Sequence, residues 1–140
     1  MSPFSRLLHD LRIQRNIRQA DLAAMVGYDQ TYISALEVGL KGPPTREFVD
    51  RLAAALILCP DDEAELYAAA DASQRKLVID SDVPQEVYVL INRLRTSLPG
   101  LTPTQVRVMT EVLNLKPVNE DMWESTRRSS GRRRKREARM

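Results

Sequence analysis

The amino-acid sequence predicts an all-α fold, and three observations carry that prediction. Apolar residues recur at three- and four-residue spacing along most of the chain, as in Phe4, Leu7, Leu8 and Leu11. The segments marked in this way are punctuated by helix signals: proline at their starts, threonine or aspartate before them, glycine after them. Only one short run, Leu77 to Ile79, reads as a strand, and it reads equally as a packed linker. Aromatic residues make up only 5% of the 140 positions, so the core has to be aliphatic.

The first helix is expected over Phe4 to Arg15, with Pro3 in its first turn and an end near Asn16. It carries Arg6, Arg12 and Arg15, and His9, which reads as a surface residue rather than a ligand. Two short amphipathic segments follow, Gln19 to Val26 and Asp29 to Val38, with Leu22, Val26, Ile33 and Leu36 as their core anchors. Ala23 is small where the second would cross the first. Gly27 can take the left-handed conformation that ends a helix, Asp29 can cap the next one, and Gly39 can end it. Tyr28 can bury its ring and keep its hydroxyl wet. A connection this short does not let two helices run side by side. They cross steeply, which is the geometry of a helix-turn-helix, whose second helix is offered to a DNA major groove.

Lys41 to Thr45 reads KGPPT and cannot be helical. Thr45 then caps a helix to Leu58, with Phe48, Val49, Leu52, Ala53 and Leu56 as the buried stripe. Pro60 opens another to Ala72, with Leu66 and Tyr67 toward the core. Asp61, Asp62, Glu63 and Glu65 crowd its start, where the helix dipole favours carboxylates, and this reading is preferred to a metal site. Residues 73–83 connect to a pair of helices over 84–116. One opens at Pro84 with a stripe of Val87, Leu90, Ile91 and Leu94. The other is capped by Thr102 and carries Val106, Met109, Val112 and Leu113. Two helices alone bury too little to be stable, so this hairpin is expected to pack on the first domain or on a second copy. Residues 117–140 form a linker and basic tail, and from Ser125 on the chain is expected to be disordered in isolation.

The formal net charge of +2 hides a strong asymmetry. Residues 1–58 are near neutral at +1, residues 59–126 stand at −6, and residues 127–139 at +7. The single cysteine, Cys59, allows no internal disulfide and fits a reducing cytoplasm; between Leu58 and Pro60 it reads as a buried small residue. No run of 18 apolar residues exists to cross a membrane, and the N-terminus lacks the shape of a secretion signal. With one histidine and no glycine-rich phosphate loop, no catalytic triad, metal or cofactor site is expected, and the chain does not read as an enzyme.

The runs Gln-x-x-Leu-Ala from Gln19, Gly-Tyr-Asp-Gln from Gly27, Ile33-Ser34 and Glu-x-Gly from Glu37 resemble the lambda-repressor-like (XRE, Cro/CI-type) helix-turn-helix of bacterial and phage transcriptional regulators. With its flanks the resemblance covers residues 1–72 and implies a five-helix DNA-binding domain. It implies base-edge contacts by Gln30, Thr31 and Ser34 or Ala35, and a structural ion pair between Arg12 and Glu37. Glutamine bonds adenine in a bidentate way, and the methyl groups of Thr31 and Ala35 suit thymine, so an A·T-containing half-site is expected. Gln19, which could also brace Gln30, together with Arg18, Tyr32, Lys41 and Arg46 are the candidate phosphate contacts. Family members often carry several cations in the loop after the recognition helix; here Lys41 and Arg46 are nearly alone. Arg132, Arg133, Arg134, Lys135 and Arg136 in the tail would add attraction to DNA without regard to sequence.

The resemblance therefore implies a cytoplasmic, nucleoid-associated regulator, by default a repressor. It would bind double-stranded DNA as a homodimer on a palindromic operator. An alternative is an antitoxin-like protein that binds a toxin through residues 73–126 and autoregulates its operon. A third reading is a nucleic-acid-binding cofactor that bridges other proteins.

Overall fold

Seven α-helices form where the apolar spacing places them, and no strand occurs among the described residues, which run from 1 to 116 in a computed structural model of the chain. They are α1 (Pro3–Gln14), α2 (Gln19–Val26), α3 (Gln30–Glu37), α4 (Arg46–Leu56), α5 (Pro60–Ala72), α6 (Gln85–Ser97) and α7 (Pro103–Leu113), with a short 3-10 turn at Leu98–Gly100 between the last two. The helix ends follow local chemistry. Ser2 caps α1 by accepting from the Ser5 N–H, and Thr45 caps α4 by accepting from the Phe48 N–H. Thr102 and Gln105 cap α7 reciprocally. Asp29 occupies the N-cap of α3 but makes no side-chain capping bond, contrary to expectation. Gly27 ends α2 at φ 74, and Asn16 leaves α1 at φ 54.

Residues Met1–Leu77 form one compact unit. Its core gathers Phe4, Leu8 and Leu11 of α1, Leu22, Ala23 and Val26 of α2, Ile33 and Leu36 of α3, the α4 stripe from Phe48 to Leu56, and Leu66 and Ala70 of α5. Phe48 stands at its centre, edge-on to Phe4, Tyr28 and Tyr32 at ring-centroid distances of 6.3, 5.0 and 5.3 Å. Polar bolts close the periphery. The Phe4 N–H donates to Ser73 Oγ at 2.9 Å, which ties the start of α1 to the end of α5. Arg15 Nη1 donates to the Leu56 carbonyl at 2.6 Å and satisfies the end of α4.

Two further sequence expectations fail in this unit and the connector. Cys59 is exposed, because it stands at the N-cap of α5 where the chain turns, and Leu58 takes the inward place instead. Leu77 to Ile79 is not a strand, since no second strand is present among the described residues to pair with it, and only Ile79 is half-buried, with Leu77 exposed and Val78 86% exposed.

The second unit begins at Val78. No residue of α6 or α7 is buried. Val87, Ile91 and Leu94 are half-buried, whereas Leu90, Val106, Val112 and Leu113 are exposed. An apolar groove of about 440 Å³ runs between the two helices, walled by Leu90, Leu94, Leu101, Val108 and Met109.

The core geometry yields a stability prediction. Phe48→Ala is expected to lower the unfolding free energy by about 3–5 kcal/mol, because it opens a cavity where three aromatic rings converge. Val78→Ala is expected to change it by less than about 0.5 kcal/mol. Urea denaturation of both variants measures the difference.

Candidate nucleic-acid interface

The site is built on α3. Ile33 and Leu36 point into the core and are buried almost completely. That fixes the opposite face outward: Gln30 and Thr31 are exposed at the start of the helix, and Ser34 and Ala35 are half-buried one turn on. The connection from α2 is Gly27, Tyr28 and Asp29, and the Tyr28 N–H closes it by donating to the Ala23 carbonyl at 3.0 Å.

At the other end of α3, Glu37 is only 4% exposed and binds three side chains. Arg12 of α1 donates from Nε to Oε1 at 2.6 Å and from Nη2 to Oε2 at 3.1 Å. Gln19 of α2 donates to Oε2 at 2.9 Å, and His9 Nδ1 lies 3.3 Å from the same oxygen. Arg12 Nη1 also donates to the Ile17 carbonyl at 3.1 Å, pinning the α1–α2 loop. Burial pushes the Glu37 carboxyl up, but the hydrogen bonds from Arg12, Gln19 and His9, with the arginine charge, outweigh it and hold the group below its ordinary range. One carboxylate therefore locks α1, α2 and α3 together.

This arrangement revises two expectations. The Gln19 amide is committed to Glu37 and does not brace Gln30. His9 is not a simple surface residue, since it joins the Glu37 cluster with its side chain half in solvent.

The other candidate phosphate contacts are spread around α3. Arg18 is exposed at the N-cap of α2. Lys41 follows α3, with its Nζ 5.5 Å from the centre of the Tyr32 ring. Burial, then the neighbouring Tyr28, raises the Tyr32 hydroxyl above its ordinary value, so it stays a proton donor. Arg46 lies 4.6 Å over the Tyr67 ring and 3.6 Å from Asp50, so part of its charge is already answered within the fold. Arg132, Arg133, Arg134, Lys135 and Arg136 lie outside the described residues. Among the described residues no group of three or more His, Cys, Asp or Glu side chains gathers to hold a metal ion, and no helix is long and apolar enough to cross a membrane.

Residues 3–66 match a family model described as a helix-turn-helix domain. This segment is a helix-turn-helix domain. No curated protein and no solved structure matches the chain significantly. The match runs from the first residue of α1 into α5, so it takes in the α2–α3 pair and the Glu37 cluster. A helix-turn-helix domain points to DNA as the partner and to a DNA-binding regulator.

The helix-turn-helix domain holds two functional candidates that the sequence did not disclose. Tyr28 stacks on Tyr32 with ring centroids 5.1 Å apart, and Arg51 of α4 lies 5.6 Å from the centre of the Tyr28 ring. The four-residue spacing of the tyrosines at the start of α3 was a usable signal. Nothing local points from Arg51 to the turn.

The Glu37 cluster predicts a pH dependence. Its carboxyl is held low in the folded domain, so its stabilisation is present above the unfolded-state value of about 4 and is lost as pH falls through the lower folded value. Glu37→Gln is expected to melt lower than wild type at pH 7 and to show a shallower loss of melting temperature below about pH 4. Arg12→Ala leaves the buried carboxylate without its main partner and is expected to cost about 3 kcal/mol at pH 7. Thermal melts across pH check both.

Proposed function

We propose that the chain is a sequence-specific transcriptional regulator that binds as a homodimer to a two-fold symmetric operator, with one α3 in each major-groove half-site, and that it acts as a repressor. A cytoplasmic, nucleoid-associated place goes with this reading. The observation that carries it is the asymmetry of α3. Its inner face and far end are locked, while Gln30 and Thr31 stand exposed at its start with no intramolecular side-chain hydrogen bond among the described residues. Such unspent donors and acceptors on a rigid helix suit base edges. Gln30 would bond adenine, and Thr31 and Ala35 would meet thymine methyl groups, with Ser34 beside them. Arg18, Tyr32, Lys41 and Arg46 would hold phosphates, and so would Gln19 if it exchanges Glu37 for DNA.

Dimerisation through α6 and α7 is supported by their apolar stripes, none of whose residues is fully buried. The same groove supports a second reading, in which residues 73–126 bind a different protein, as in an antitoxin. A second copy is the simpler occupant, because an operator with two half-sites needs two α3 helices.

Selection of DNA from a random pool is expected to return a two-fold symmetric site with half-site centres roughly 34 Å apart. The double variant Gln30→Ala, Thr31→Ala is expected to lose about 1–3 kcal/mol of discrimination per half-site while melting like wild type. A single unsymmetric half-site would remove the homodimer, and unchanged discrimination would remove α3 as the reader.

The tail makes a separate prediction. Residues 127–139 carry eight Arg or Lys and one Glu. Ending the chain at Glu124 is expected to flatten the dependence of log affinity on log salt by several units and to leave sequence preference intact, as read by fluorescence anisotropy across salt.

A further inference from the structure

Two tyrosines and two cations form a continuous stack at the entrance to α3. Tyr28, in the turn, and Tyr32, on the first turn of α3, lie nearly parallel, with planes 23° apart. Lys41 sits over the Tyr32 ring and Arg51 over the Tyr28 ring. Beneath them the fully buried Phe48 meets both rings edge-on. A core residue of α4 thus fixes the tyrosines, and the tyrosines fix the cations. The loop after α3, α3 itself, the turn and α4 each contribute one member.

We propose that this stack is a preformed phosphodiester-binding site, with Arg51 and Lys41 as its two phosphate ligands and Tyr28 as the positioning residue for Arg51. The proposal rests on the DNA-binding reading and adds Arg51 and Tyr28 to it. The Arg51 head group lies at the turn: its Nη1 is 3.4 Å from the place a Cβ on Gly27 would take. Gly27 is needed for its φ of 74, and the guanidinium lies at van der Waals distance from the turn it makes. That turn directly precedes Gln30, so a DNA strand whose bases meet Gln30 carries its backbone past Arg51.

The Arg51 side chain is 49% exposed, and Glu47 takes only its Nη2, at 2.9 Å. Nη1, on the turn side, has no hydrogen-bond partner among the described residues and is free to meet an anionic oxygen. A guanidinium laid on a half-exposed ring keeps its charge but loses rotamer freedom before DNA arrives. This suits a domain whose first 58 residues carry a net charge of only +1, because a few ordered cations do the work of many mobile ones.

The test is binding of the full-length protein to its selected operator across salt, by fluorescence anisotropy. Arg51→Gln is expected to weaken binding severalfold, to reduce the salt slope by about 1 and to keep sequence preference and melting temperature. Arg51→Lys, which retains the charge, is expected to restore most of the slope. Tyr28→Leu is expected to weaken binding, whereas Tyr28→Leu combined with Arg51→Gln should be no weaker than Arg51→Gln alone, because Tyr28 acts through Arg51. A lowered melting temperature with an unchanged salt slope would make Arg51 a purely structural residue and overturn the proposal. So would full additivity of the two substitutions. If Gln30→Ala still changed sequence preference in that case, the DNA-binding reading would stand without this site; a wild-type protein that bound no DNA would overturn both.

Discussion

A single buried carboxylate organises the helix-turn-helix segment of the molecule. Glu37 sits at the end of α3, where burial raises its carboxyl, and the side chains of α1 and α2 that converge on it outweigh that effect and keep it charged. The bidentate Arg12 contact fixes direction as well as distance, since a planar guanidinium meets a carboxylate edge-on. Helix α3 is short, and Ile33 and Leu36 are its only fully buried apolar residues. The Glu37 anchor adds to Ile33, Leu36 and the Tyr32 ring a fixed point at the far end of the helix, which helps to hold Gln30 and Thr31 in one orientation.

The opposite end of α3 is held by different means. There the aromatic nexus of Phe48, Tyr28 and Tyr32 takes the place of the ion pair. Ionic locking at the C-terminal end and aromatic locking at the N-terminal end leave one outward face free. Both devices bring cations near α3 without adding many of them: Arg12 is consumed internally, while Lys41 and Arg51 lie ordered on rings. The chain as a whole separates its charges, with a near-neutral recognition domain, an acidic middle and a strongly basic end. In the proposed function, base reading and bulk attraction to phosphate fall to different segments.

The second unit follows another logic. Helices α6 and α7 have sound local signals, including the reciprocal cap at Thr102 and Gln105, yet bury none of their residues. Local propensity is sufficient to mark a helix, but burial of its apolar stripe is what stabilises it. The incompletely buried stripes and the groove beside Leu94 and Val108 are what the proposed dimerisation would cover.

The sequence by itself determined the positions of all seven helices, the turn at Gly27 and the outward placement of Gln30 and Thr31. Each of these follows from short-range facts: apolar spacing, a proline or threonine at a start, a glycine where φ must be positive. It also carried the pairing of Arg12 with Glu37, through resemblance rather than through spacing. The tertiary structure alone decided what lies beyond one or two helical turns. It drew Gln19 away from Gln30 and onto Glu37, and it brought His9 to the same oxygen. It left Cys59, Leu77 and Val78 in solvent, and it laid Arg51 across Tyr28. The reason is common to all of them: a long polar side chain chooses among partners that only the packing of distant helices brings within reach, and sequence spacing carries no record of that choice.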